Sequence, residues 1–206
     1  MSRKNVVVVG HGMVAHRFVE ALRVRDEQNS WSVTVLGEEA DAAYDRVGLS
    51  SYVGAWDRKE LALAGNDYAA DDLVDLRVGT RAVGIDRAAR TVTTAGGDVL
   101  PYDSLVLATG SYPFVPPVPG HDLPGCFVYR TLDDLDGIRA AAERAKAAGL
   151  AGIVIGGGLL GLEAANALRL LGVTPHVVEY NNRLMPAQVD EGGGRVLDRL
   201  VTDLGL

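Results

Sequence analysis

One supersecondary pattern occurs twice in this chain. VVVVGHGMVAHRF occupies residues 6–18 and GIVIGGGLLGLEAANAL occupies residues 152–168. Each copy is a run of β-branched residues, a glycine-rich turn and a helix-forming stretch. Consecutive apolar residues without polar alternation fit a strand covered on both faces, and such strands belong to parallel sheets whose crossovers are helices. The repeat therefore predicts an α/β chain built from two Rossmann-like, doubly wound, three-layer units.

The later copy places Gly156, Gly158 and Gly161 in the order G-x-G-x-x-G between a strand and a helix. Each glycine answers a mechanical demand: a tight turn, close approach of backbone to a pyrophosphate, and close packing of helix on strand. The amides at the helix start carry about half a positive charge and face the phosphates. Glu179 ends the next predicted strand, eighteen residues beyond Gly161. A carboxylate there accepts hydrogen bonds from both ribose hydroxyls and repels a 2′-phosphate, which favours NADH over NADPH. Strand, turn, helix, strand and terminal acid together predict a dinucleotide site.

The earlier copy reads Gly10, Gly12, Ala15, a variant with alanine at the third position. Glu38 follows its second strand as the expected ribose acid, with Glu39 as the alternative. His11 and His16 flank this turn. None of the four histidines has a partner at metal-ligand spacing, so no metal site is expected and surface or packing roles are assigned to them.

The pattern of elements follows. Strands are expected at Val6–Val9 and 31–36, with a helix from Met13 to Arg25 between them. Residues 37–57 show no period and read as a long loop. The stretch from VDLR to LVLATG reads as a meander of short strands, inserted in the first unit, with Ser104–Thr109 as a buried strand at its end. SYPFVPPVPG is too proline-rich for a helix or a central strand and is read as a linker. Thr131 is placed to cap a helix with acids in its first turn. Further strands at Gly152–Ile155 and Thr174–Val178, and helices at Leu159–Leu171 and about Val189–Leu204, complete the reading. The expected division is 1–114, a linker at 115–120, and 121–206.

Composition narrows the function. Of 206 residues 48% are hydrophobic, and the net charge of −7 comes without a basic run, so nucleic acid is an unsuitable partner. The single cysteine, Cys126, excludes an internal disulfide, a C-x-x-C redox pair and a cysteine-ligated cluster within the chain. Its lone thiol suits a reducing cytoplasm. The N-terminal apolar run is too short for a signal peptide, and residues 150–162 are too few to span a bilayer, so no membrane association is expected.

Two glycine fingerprints with LVLATGSYP between them make the chain resemble the pyridine nucleotide-disulfide reductase-like flavoproteins. The stretches AYDRVGLSSY, LATGSYPFVPPVPG, CFVYRTLDDL and RLMPAQVDEGGG are similar, more narrowly, to the large subunits of assimilatory NAD(P)H-dependent nitrite reductases. The resemblance implies FAD on the first unit, at Gly10, Gly12, Met13, Ala15, Glu38 or Glu39, Arg46, Ser50, Ser51, Thr109 and Gly110. It implies NAD(P)H on the second, at Gly156, Gly158, Leu159, Gly161, Glu163 and Glu179. Glu163 is the candidate nearest the flavin, although Ser51 stands where many relatives pair this glutamate with a lysine. Arg46 and Glu163 read equally as solvated surface charges, and the ATG stretch as an ordinary strand-ending turn. The implied activity is electron input from NAD(P)H through FAD, in the manner of nitrite reductase. The alternatives are a reductase of a small redox protein, of the rubredoxin or ferredoxin type, and a non-catalytic nucleotide-binding chain. Sirohaem and an iron–sulfur cluster are expected only in a missing C-terminal part, and a small nitrite reductase subunit or a redox protein is the implied partner. The chain reads as a C-terminally truncated, N-terminal piece of such a protein.

Overall fold

A computed structural model describes residues 3–54, 57–63, 68 and 70–206. It is a mixed α/β structure with parallel sheets. Two compact units divide it, Met1–Asp45 with Leu61–Ser111, and Arg46–Glu60 with Tyr112–Leu206. Residues 46–60, inside the stretch expected as the first domain, thus make their contacts in the second unit.

In the first unit β1 (Lys4–Val9) leads to α1 (Met13–Arg25) and then to β2 (Trp31–Leu36). Further strands are β3 (Val74–Arg77), β4 (Ala82–Asp86), β5 (Thr91–Thr94), β6 (Val99–Pro101) and β7 (Ser104–Leu107). A four-stranded parallel sheet has the order β3-β2-β1-β7, with Val6 opposite both Val33 and Ser104. The valine run lies at its centre because it can bury both faces. Val6 and Val8 pack with Ala15 and Val19 of α1, while Val7 packs with Leu36 and Val92 of β5. The antiparallel β4-β5-β6 sheet therefore covers the face opposite α1.

Two sequence expectations require correction here. VDLR is not part of the meander: β3 pairs in parallel with β2 through Val33–Val74 and Val35–Leu76, at the edge of the main sheet. The meander proper is β4 to β6. The expected loop at 37–57 contains a one-turn helix, α2 (Leu49–Gly54), which buries Leu49, Tyr52 and Val53. Their spacing is helical, but a single turn falls below the window in which a period can be recognised.

The second unit contains α2, α3 (Leu132–Ala147), β8 (Gly152–Ile155), α4 (Leu159–Leu170), β9 (Pro175–Val178) and α5 (Glu191–Asp203). Thr131 caps α3 as expected. Its hydroxyl accepts from the Asp134 amide at 3.1 Å, and the Asp134 carboxylate accepts from the Thr131 amide at 2.8 Å. This reciprocal pair satisfies two of the amides that a helix start leaves without partners. β8 and β9 pair in parallel, and α4 buries Ala165 and Ala167. Among the described residues no helix is long and apolar enough to cross a membrane.

Candidate functional site

The first glycine turn joins β1 to α1. Gly10 adopts φ 105°, and a Cβ there would lie 2.1 Å from the Ala108 carbonyl oxygen. Only glycine lets the turn approach the end of β7 this closely. That contact brings the ATG stretch against the fingerprint: the Ala108 amide donates to the Val9 carbonyl at 2.8 Å, and Thr109 and Gly110 follow, both exposed, with Gly110 at φ 69°. Gly12 is the N-cap of α1, and no side chain caps the helix start. A Cβ on Gly12 would meet nothing within 4 Å. The turn is thus open on the side where amides of the first helical turn lack side-chain partners, and a pyrophosphate fits it. Met13 is partly exposed and Ala15 is fully buried.

Two carboxylates follow β2. Glu38 is exposed, with Arg81 Nε 3.5 Å from Oε1. Glu39 Oε2 accepts from the Tyr44 hydroxyl at 2.6 Å. Gly10, Gly12, Met13, Ala15, Glu38, Glu39, Thr109 and Gly110 are therefore gathered in one unit.

Arg46, Ser50 and Ser51 belong to the other unit. Arg46 Nη1 donates to the Arg130 carbonyl at 3.1 Å. Ser50 Oγ lies 3.2 Å from the Tyr129 hydroxyl, and Ser51 is exposed on α2. Burial pushes the Tyr129 phenol above its ordinary pKa, the Ser50 hydrogen bond opposes this, and the charge of Glu163 adds to it. Glu163 itself is exposed on α4.

The second glycine turn joins β8 to α4. Gly156 adopts φ 110°. A Cβ on Gly161 would lie 1.8 Å from the Gly156 carbonyl oxygen, so the helix packs on the turn with no space for a methyl group. Gly158 caps α4 without a side-chain cap, and the space beside it is open. Leu159 begins α4 half-exposed. Glu179 follows β9 and turns back to this loop. Its Oε2 accepts from the Gly157 amide at 2.7 Å, and its Oε1 accepts from the amide and side chain of Asn181 at 2.8 and 2.7 Å. Hydrogen bonds from the backbone of Asn181 and Gly157 and from the Asn181 side chain hold the carboxyl below the usual range. Arg183, the cation nearest to Glu179 in sequence, donates to the carbonyls of Val189 at 3.0 Å and Pro186 at 3.2 Å, and to the Asn182 side chain at 3.2 Å.

Three residues of functional interest carried no motif. Tyr129 is joined to Ser50, as above. Tyr68 bonds both His11 and His16, which lie buried rather than on the surface. Contacts across more than fifty residues leave no local periodic signal. Cys126 is an exposed free thiol. No group of three or more metal-ligating side chains is present among the described residues.

Two uncapped glycine turns, each at the carboxyl end of a parallel strand and each followed by a strand ending in a carboxylate, define a dinucleotide-binding protein. The chain belongs to the pyridine nucleotide-disulphide oxidoreductase family, whose sequence model matches residues 4–206. It is 50% identical to the nitrite reductase [NAD(P)H] large subunit of Klebsiella oxytoca, over the whole chain and 21% of that protein. It is 42% identical to the nitrite reductase (NADH) large subunit of Escherichia coli K12, over the whole chain and 24% of that protein. A ferredoxin reductase from Rhodopseudomonas palustris superposes with a TM-score of 0.86 at 28% identity, covering 99% of this chain and 49% of that one. The chain thus spans about a quarter or less of these nitrite reductase relatives.

Proposed function

We propose that the first unit holds FAD, that the second holds NADH, and that the chain is the electron-input region of an assimilatory nitrite reductase. The observation that carries this reading is the pair of open, uncapped glycine turns, both of the geometry a pyrophosphate requires. When bound, the two groups supply hydride transfer from nicotinamide C4 to flavin N5 and release of single electrons toward a metal centre outside this chain. The chain's own residues bind and orient. Amides from Gly12 and Met13 would face the FAD pyrophosphate, and those from Gly158 and Leu159 the NADH pyrophosphate. Glu38 or Glu39 would accept from one ribose and Glu179 from the other. Thr109 and Gly110 would border the FAD. Arg46, Ser50, Ser51 and Glu163 are proposed on resemblance alone, Arg46 and the two serines to FAD and Glu163 to the nicotinamide side. Domain boundaries at 114 and 120 belong to the same proposal, as does a cytoplasmic location, supported by the lone thiol.

Preference for NADH rests on Glu179 and Arg183 together. The carboxylate repels a 2′-phosphate, and the guanidinium is engaged by loop acceptors. A small nitrite reductase subunit or a redox protein would be the partner; sirohaem and an iron–sulfur cluster would lie elsewhere in a longer protein. Likeness to a ferredoxin reductase favours a second reading, reduction of a small redox protein. Anaerobic titration of the FAD-reconstituted chain with NADH tests the shared part: bleaching of the yellow absorbance is expected, and a protein that takes up no FAD contradicts the proposal.

A further inference from the structure

Beneath the first glycine turn three side chains form a continuous hydrogen-bonded chain. The Tyr68 hydroxyl lies 2.9 Å from His11 Nε2 and 2.8 Å from His16 Nδ1. His16 Nε2 in turn lies 3.6 Å from Glu20 Oε1. His11 is only 9% exposed, and its other nitrogen, Nδ1, is buried without a hydrogen-bond partner.

A phenol has one proton to donate, so the two imidazoles cannot choose their tautomers independently. The Glu20 carboxylate favours N–H at His16 Nε2. That leaves His16 Nδ1 as an acceptor, which takes the Tyr68 proton. The Tyr68 oxygen then accepts from N–H at His11 Nε2, and His11 Nδ1 is left as a bare, buried acceptor. Adding one proton reverses every bond. His16 carries both protons and faces Glu20 as an imidazolium, Tyr68 donates to His11 Nε2, and His11 holds its proton at Nδ1. The net change is one proton and one positive charge, located on His16 in the first turn of α1.

We infer that His11, Tyr68 and His16 are a one-proton relay, and that its charge state sets how tightly the first turn holds an anionic dinucleotide. The coupling to the cofactor rests on the proposed FAD site; the relay does not. A cation in the first turn of a helix opposes the helix dipole when the turn is empty. It is favoured when a pyrophosphate supplies negative charge there. Binding and protonation therefore reinforce each other, and reciprocally. The charges that face the cluster agree with His16 as the place where the proton rests. Glu20, itself paired with Arg17 at 3.2 Å, stands beside His16. Burial and the neighbouring His16 lower the His11 pKa to about 4, with Glu39 opposing, and Glu39 is hydrogen-bonded to Tyr44. Burial first and then Glu20 raise the Tyr68 phenol to about 12, so it passes protons without losing its own.

Imidazole nitrogen-15 spectra of the labelled chain test the relay directly. As the pH falls from about 8 toward 6, the range in which histidines titrate, His16 should gain a proton and His11 should move from the Nε2–H to the Nδ1–H tautomer in step with it. Tyr68→Phe should uncouple the two. A His11 that holds Nδ1–H at the alkaline end, or does not respond as His16 titrates, overturns the relay. Flavin fluorescence then tests the coupling: FAD affinity should rise about fivefold over the same interval. His16→Asn, which can still accept from Tyr68 but takes no proton, should flatten that rise. A wild-type affinity independent of pH refutes the coupling while leaving the tautomer result intact. Failure to bind FAD at any pH refutes the FAD site instead.

Discussion

Gly161 and Ala15 occupy the same third position in the two turns, yet the structure treats them differently. A methyl at 161 would stand 1.8 Å from a backbone oxygen, whereas the methyl of Ala15 is fully buried in the core. Gly161→Ala should therefore destabilise the second unit by about 3 kcal/mol, the upper range for overpacking, read as a lowered urea midpoint. Ala15→Gly should cost only about 1 kcal/mol through helix propensity. Glu179 invites a binding test. The wild-type chain should prefer NADH to NADPH by at least about tenfold, roughly 1.4 kcal/mol, and Glu179→Ala should erase most of that ratio; an unchanged ratio removes Glu179 from the ribose. His11 gives a pH effect of definite sign. Its folded pKa of about 4 lies below the ordinary 6.5, so the unfolded chain binds the proton more readily. The stability it contributes is complete above pH 6.5 and declines as pH falls toward 4. The loss is on the order of 3 kcal/mol. Urea melts at about pH 7 and 4.5 should show this slope, reduced in His11→Asn. Both glycine triplets and Glu179 were legible in the sequence because their spacing is local. The Tyr68 bridge was not, since its partners are assembled by the fold.

At the scale of elements, legibility followed length and chemistry. The cap of α3 could be read from Thr131 and the acids behind it, because a capping box is encoded within four residues. Thr131→Ala should cost about 1 kcal/mol, measured as a lower thermal midpoint, and Thr131→Ser should retain most of it. The long helices and the strands beside them were also legible from their periods. By contrast, β3 has only four residues, and nothing in VDLR distinguishes an edge strand of a parallel sheet from a strand of a meander. Its orientation is decided by pairing with Val33 and Val35, a contact beyond any local window. The helix α2 was hidden for a related reason. Leu49, Tyr52 and Val53 do form a helical face, but one turn cannot be told from a loop by pattern alone.

Over the whole chain, the two parallel sheets differ in how they are covered. The four-stranded sheet is packed on both faces. The β8–β9 pair is not: Ile153 and Ile155 are 69% and 66% exposed on the face opposite α4. Parallel strands ordinarily have both faces covered, so this apolar face should bind a hydrophobic dye and favour self-association. Ile153→Thr with Ile155→Thr should lower dye fluorescence and the associated fraction in sedimentation while leaving the thermal midpoint nearly unchanged. The central claim, that one chain carries two distinct dinucleotide cradles, is tested most directly by amide hydrogen exchange with each nucleotide in turn. FAD should slow exchange through Gly12–Ala15, and NADH through Gly158–Gly161. Protection of a single turn by both nucleotides, or of neither turn, would contradict it.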